Sequence, residues 1–176
     1  MNWPLRFADE RDIPAIEALI PLSVRALQTP YYSTAQMDAA IGPVFGVDRQ
    51  LIKDRTYFAV EHEAAIIGCG GWSKRRAVYG GDCHHGQNDA DELNPQKDAA
   101  RIRAFFVHPD FARRGIGRSI LLACEDAARA AGFTRLELVA TLAGEPLYAK
   151  FGYSVIERYE APLANGLTLP VVRMGK

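Results

Sequence analysis

An α/β fold is what this sequence predicts. Two observations carry that expectation. From residue 100 to residue 160 the hydrophobic pattern runs strand, helix, strand, short helix, strand. Ahead of it, TYFAVEHEAAIIGCGGWS (residues 56–73) carries the signal of an antiparallel hairpin. The 176-residue chain is long enough to bury a core. No linker or internal repeat divides it, so one domain over 1–176 is expected.

The elements follow in order. WPLRFA is a short strand with a proline at its start. Asp9 is placed to cap a helix over roughly residues 10–20, where Ile13, Ile16, Leu19 and Ile20 keep helical spacing. Pro21 and Pro30 bracket a second helical piece containing Val24 and Leu27. TAQMDAAI is a further short helix capped by Ser33 or Thr34. In the hairpin, Tyr57 to Glu61 pairs with Ala65 to Trp72 across a turn at His62-Glu63. Gly68, Gly70 and Gly71 mark a bulge or a close backbone approach in the return strand. Trp72 is placed either to line a pocket or to pack in the core.

Residues 74–98 are polar and without a period, and so read as a long loop, an expected cover over a pocket with Tyr79 and Asp82 available for contact. Cys83-His84-His85 within it lacks zinc-ligand spacing, and no metal is expected. AARIRAFFV is a strand in which Ile102, Ala104 and Phe106 face one way and Arg103, Phe105 and Val107 the other. From Ile116 to Ala131 the residues 116, 120, 124, 127 and 131 form an apolar helical stripe, with Arg118, Glu125, Asp126 and Arg129 off it. Gly132 ends that helix. RLELVAT is a strand, Glu145 to Phe151 a short helix, and SVIERYE and LTLPVVRM the last two strands.

Composition sets limits. Lys plus Arg and Asp plus Glu both number 21, so net charge is zero and gives no case for nucleic-acid or anionic-membrane binding. No apolar run approaches the ~18 residues of a membrane span. Cys69, Cys83 and Cys124 are odd in number and widely spaced, which suits a reducing compartment. The N-terminus, MNWPLRFADERD, is charged too early for a signal peptide, and a cytoplasmic location is expected.

The stretch VHPDFARRGIGR, residues 107–118, bears the chemistry. A strand ends, a turn holds Arg113, Arg114, Gly115 and Gly117, and a long helix begins at Ile116 with Arg118 in its first turn. Unpaired N–H groups and the helix dipole make such an N-terminus an anion site. The glycines allow close approach, and the arginines add bidentate donors suited to phosphate. The P-loop pattern is absent, and Ile120 stands where the third glycine of a dinucleotide fingerprint belongs. His108, in the His-Pro-Asp turn, reads as structural.

These residues resemble the GCN5-related N-acetyltransferase (GNAT) family, whose Q/R-x-x-G-x-G/A turn is matched by Ala112 to Gly117. Ala112 stands where the family often has Gln or Arg. LYAKFGY, Leu147 to Tyr153, is similar to the family's second motif. The resemblance implies a mixed central sheet of about seven strands, splayed between the fourth and fifth, with helices on both faces. It implies acetyl-CoA as cosubstrate, its pyrophosphate on the turn and its pantetheine arm along Phe105, Phe106 and Val107. Arg113, Arg114, Gly115, Ile116, Gly117, Arg118 and Thr141 complete the implied cofactor set. Leu142 lies where the family often has an Asn that bonds the cofactor.

Acetyl transfer to an amine sets two demands. An ammonium of pKa ~10.4 costs about 4–5 kcal/mol to neutralise at pH 7, and the leaving thiolate needs a proton. The resemblance makes Tyr148 the general acid. Glu137 interrupts an apolar strand, facing with Val139 and Thr141, and is the candidate base, directly or through water, with a proton-draining water chain as the other route; its structural alternative is an arginine partner such as Arg103. The expected function is N-acetylation of a primary amine on a small molecule or peptide by direct attack in a ternary complex. A non-catalytic acyl-CoA sensor is the alternative. An aminoacyl-tRNA-acetylating toxin is disfavoured by the zero charge. The apolar strand LTLPVV is a possible homodimer surface. The amine itself is left open, with specificity expected from the N-terminal helices and the 74–98 loop.

Overall fold

The computed structural model describes residues 3–77 and 91–176. Its seven strands form one sheet in the order β1-β2-β3-β4-β5-β7-β6. They are β1 (Leu5–Phe7), β2 (Tyr57–His62), β3 (Ala65–Ser73), β4 (Ala100–Val107), β5 (Leu136–Thr141), β6 (Ser154–Pro162) and β7 (Thr168–Gly175). The helices are α1 (Ile13–Leu27), α2 (Thr34–Ala40), α3 (Arg49–Lys53), α4 (Ile116–Ala130) and α5 (Glu145–Lys150). Among these strands β4 and β5 alone pair in parallel, as expected where a helix crosses over between them. One core, with α4 and α5, covers one face of the sheet; a second, with α1, α2 and α3, covers the other. No helix among the described residues is long and apolar enough to cross a membrane.

Several boundaries differ from expectation. Pro21 lies inside α1 instead of ending it. Ile16, Ile20, Ser23 and Val24 are buried on both sides of it, so packing holds the helix through the lost hydrogen bond. Asp9 caps a 3₁₀ turn, Glu10–Asp12, through a reciprocal capping box, and that turn leads into α1. Helix α3, only five residues long and capped by Asp48, gives too short a period to be read in sequence. The hairpin turn falls on Glu63 and Ala64, both with positive φ (48° and 62°), one residue later than expected.

Glu125 was expected off the apolar stripe of α4 but is 1% exposed. It is held there by Arg129 (2.9 Å) and by the Lys176 ammonium (2.9 Å), which pins the end of the chain to the helix. The described ends of the 74–98 segment are paired, not irregular. Arg75 bridges Glu92 in antiparallel fashion, Lys74 lies 2.8 Å from Glu92, and Arg75 lies 2.7 Å from Asp54. Tyr79, Asp82, Cys83, His84 and His85 lie outside the described residues. Trp72 is core, edge-to-face with Phe133 at 6.1 Å.

Two features of β3 and β4 shape the centre. The register shifts between Cys69 and Gly71, so Ala104 and Phe105 both fall opposite Gly70. Ala104 has φ 61°, the mark of a bulge. The bulge reverses the expected alternation. Ile102, Phe105 and Val107 belong to the α4 core, while Ala104 and Phe106 belong to the α1 core. The Tyr57 hydroxyl donates to the Ala104 carbonyl (3.2 Å) and lies 3.3 Å from Cys69 Sγ, fixing the bulge from the side. At Gly70 a Cβ would stand 2.6 Å from the Phe105 ring and 2.8 Å from Ile120, so glycine is what lets α4 and Phe105 lie this close.

Gly70→Ala is therefore expected to destabilise the protein by about 1–3 kcal/mol through overpacking. Urea unfolding checks it: the midpoint should fall with the m-value unchanged.

Candidate active site

β4 and β5 pair over three positions, Ala100–Leu136, Arg101–Glu137 and Ile102–Leu138, and then separate. The splay expected between the fourth and fifth strands is present. A cleft of about 1080 Å³ occupies the gap and is lined from both faces of the sheet. Ile116, Gly117, Leu147 and Tyr148 line it from the α4–α5 side, and Ser23, Leu27, Val44 and Phe45 from the α1–α3 side.

At one end of the cleft is the arginine-glycine turn. Arg113 (φ 62°) and Gly115 (φ 88°) take left-handed backbone, while the residues around them do not. Alternating handedness of this kind turns successive N–H groups toward one point, an anion nest. Gly115 is the N-cap of α4, and its carbonyl accepts the helix's first bond, from Ser119 N–H (2.9 Å). The preceding N–H groups are thereby left to a ligand. A left-handed arginine costs about 1–2 kcal/mol. Trp3 helps hold the turn from behind, its indole N–H donating to the Arg114 carbonyl at 2.8 Å.

Arg113, Gly115, Ile116, Gly117 and Arg118 all line the cleft. Arg114 does not: its guanidinium lies over the Phe111 ring, 5.4 Å from the centroid. The Arg114 side chain is thus corrected from cofactor ligand to packing group, its charge set over an aromatic face; its carbonyl accepts from Trp3, and its N–H is among those left to a ligand. Lys150, in the last turn of α5, joins Arg113 and Arg118 at the cleft, and among the described residues none of the three has an acidic partner. The expected set lacked Lys150, since only the docking of α5 against α4 brings it there.

Phe105, Phe106, Val107 and Thr141 line the cleft as expected. Val107 N–H is already donated to Ser23 Oγ at 3.2 Å, so a ligand reaching it competes with that hydroxyl. Thr141 Oγ1 accepts from Gly144 N–H (3.1 Å) and shapes the entry to α5. Leu142 N–H is held by Tyr32 Oη (2.9 Å), which itself donates to the Pro170 carbonyl (2.7 Å). Burial pushes the Tyr32 phenol up to about 12, so it stays a donor throughout the neutral range. His108 accepts from Asp110 N–H through Nδ1 (3.2 Å) and caps the turn, a structural role.

Tyr148 sits on α5, buried, its ring edge-to-face with Phe105 (6.1 Å) and Tyr153 (5.9 Å). It faces the gap between the strands. Burial first, and the Cys124 thiol second, raise its phenol well above the usual tyrosine range, so it is protonated at neutral pH.

Glu137 is elsewhere. It belongs to the paired half of β5, does not line the cleft, and lies between Arg101 (2.7 Å) and Arg173, with which it forms a short contact. Burial alone would raise its carboxyl, but the Arg173 hydrogen bond and the Arg101 charge together hold it below the ordinary glutamate value. A carboxylate so held is a poor proton acceptor. The candidate base is thus corrected to a structural ion pair, with Arg101 and Arg173 as partners in place of the suggested Arg103. Arg103 instead pairs with Asp48 (3.0 Å).

Comparison with known proteins bears on the whole arrangement. The sequence profile of the Acetyltransferase (GNAT) family matches residues 22–153. The chain belongs to the GNAT family. None of the curated proteins matches it. Among solved structures, a GCN5-related N-acetyltransferase from Rhodopseudomonas palustris is 22% identical, with all of this chain aligned to 96% of that one at TM-score 0.72. The PaiA N-acetyltransferase of Thermoplasma acidophilum, in complex with coenzyme A, is 14% identical (100% and 99% covered, TM-score 0.66). The ribosomal-protein-alanine N-acetyltransferase of Brucella melitensis is 16% identical (98% of each chain, TM-score 0.64). At these identities they share the GNAT fold with this chain.

Glu137→Gln should lower stability by about 2–4 kcal/mol at neutral pH, since two guanidiniums lose their partner. The folded-state carboxyl lies below its unfolded value. Its contribution is therefore present above the ordinary glutamate range and lost as pH falls through the folded-state pKa. Urea midpoints of wild type and variant should converge on acidification, and kcat per folded molecule should stay within about threefold.

Proposed function

We propose that the chain is an acetyl-CoA-dependent N-acetyltransferase acting on a primary amine in a ternary complex. The observation that carries this reading is the position of Tyr148: it faces the gap between β4 and β5, between the cationic nest and the hollow under α1. The family membership and the fold shared with a coenzyme A complex support it.

In this reading the pyrophosphate rests on the N–H groups of Gly115 to Arg118, with Arg113, Arg118 and Lys150 around it. Pantetheine runs along β4 beyond Ile102, on the side from which β5 has parted. The amine lone pair attacks the thioester carbonyl, a C–N bond forms and the C–S bond breaks. Tyr148 gives its proton to the departing sulfur and regains one from solvent. The burial that raises the phenol also disfavours a free thiolate, so donor and acceptor shift together. We place the protein in a reducing compartment; the described cysteines, Cys69 and Cys124, are buried free thiols, which supports this.

Calorimetric titration of coenzyme A should show binding to the wild type and none to Gly117→Glu, whose carboxylate would face the pyrophosphate. Absence of binding to the wild type would sink the reading. Tyr148→Phe should retain coenzyme A affinity and lose about 10²–10³ in kcat. An unchanged kcat would remove Tyr148 from the chemistry. Tight binding with no turnover on any amine would make the chain an acyl-CoA-binding module.

A further inference from the structure

We propose that the acceptor is a weakly basic amine carried on an apolar body, one that enters the cleft uncharged. This rests on the acetyltransferase reading above and names its substrate class.

The acceptor half of the cleft is the hollow on the α1–α3 side of the sheet. Leu27, Val44, Phe45, Val139, Leu169 and Val171 line it, from α1, the segment between α2 and α3, β5 and β7. The titratable groups lining the whole cleft, among the described residues, are Tyr31 before α2, Arg103 on β4, Arg113 and Arg118 at the nest, and Tyr148 and Lys150 on α5. Every charged one is a cation. No aspartate, glutamate or histidine of the described residues lines it. The carboxylates adjoining lining residues are engaged elsewhere: Glu145 pairs with Arg158 (2.5 Å) and Glu160 accepts from the Thr168 hydroxyl (2.8 Å), while Glu137 is confined between Arg101 and Arg173.

Two consequences follow. An ammonium entering this hollow would lose its water and meet no free counter-charge among the described residues, Asp48 being held by Arg103 (3.0 Å). Nor does a described group stand ready to take its proton. A lysine-type amine, with pKa ~10.4, is neutral in only about one molecule in 2,500 at pH 7; an α-amino group, with pKa ~7.7–8.0, in about one in six to ten. An arylamine is neutral throughout. The site thus discriminates by the basicity of the amine, and its apolar wall selects what the amine is attached to.

One polar side chain of the hollow can meet a neutral amine once its amide turns toward the cleft. Gln28, at the C-cap of α1, lines the hollow, and its Oε1 is buried with no hydrogen-bond partner among the described residues. A buried amide oxygen accepts an N–H without taking the proton. It orients the nitrogen and leaves the lone pair free for the thioester. After the C–N bond forms, the surplus N–H proton leaves through water.

The test is a steady-state series on amines that share an aromatic body and differ in basicity: p-toluidine, phenylalaninamide and 2-phenylethylamine, with spermidine as the cationic control. Coenzyme A binding is measured in parallel by calorimetry. At pH 7 the first two should exceed 2-phenylethylamine in kcat/KM by at least about tenfold, with spermidine lowest. Between pH 7 and 9 the 2-phenylethylamine value should climb about tenfold per unit, following the neutral fraction of the substrate, while the p-toluidine value stays flat. Gln28→Ala should raise KM for the amine about tenfold and leave KM for acetyl-CoA unchanged. Preference for spermidine, or a 2-phenylethylamine rate independent of pH, would overturn the inference and leave the acetyltransferase reading intact. Coenzyme A binding with neither weakly basic amine acetylated would also overturn it. Failure to bind coenzyme A would remove the underlying reading as well.

Discussion

The parting of β4 from β5 after Ile102 and Leu138 is the constraint on which this structure depends. Two parallel strands leaving each other inside a sheet expose backbone that must be paired elsewhere. The bulge at Ala104 falls at the point of separation, and an extra residue bends the strand that carries it. The Tyr57 hydroxyl takes the Ala104 carbonyl, Ser23 takes the Val107 N–H, and Tyr32 takes the Leu142 N–H beyond the end of β5. Side chains from β2, α1 and the segment before α2 thus hold open a gap that a regular sheet would close.

The gap has two unlike halves because the sheet has two unlike faces. On the α4 side, a close helix–sheet contact at Gly70 brings α4 down onto β3, and the helix N-terminus arrives at the cleft with its unpaired N–H groups. Arg113, Arg118 and Lys150 add charge around it. On the α1 side, the lining is aliphatic and aromatic. Tyr148, in the core on the α4 side, borders the gap, and its phenol keeps its proton because burial first and the Cys124 thiol second disfavour the phenolate.

Acidic side chains are numerous in this chain, yet the ones described near the sheet are committed. Glu137 serves Arg101 and Arg173, Asp48 serves Arg103, and Glu125 serves Lys176 and Arg129. Each pair closes a seam, between β5 and β7, between α3 and β4, or between α4 and the chain end. Such pairs give little net stability over apolar packing, but breaking one leaves an orphaned buried charge, so they fix register. A cleft without a described carboxylate is the chemical counterpart of that commitment.

The sequence by itself determined the seven strands and the long helix after the arginine-glycine turn, and made the turn readable as a nest of exposed N–H groups, because these rest on local periodicity and on backbone groups that any helix start exposes. That Tyr148 and the β4 run line the cleft was expected from the family resemblance, through motifs of fixed spacing. What local pattern does not encode was decided by tertiary packing. The bulge that reverses the faces of β4 arises from pairing with β3. The Arg114 side chain is drawn from the site onto Phe111, and Lys150 is brought to it by the docking of α5. Glu137 looked like a base because a carboxylate in an apolar strand needs a reason; the reason was Arg173, 36 residues away and adjacent only once β7 pairs with β5. Charge acts through space, and only the folded chain says which charges are neighbours.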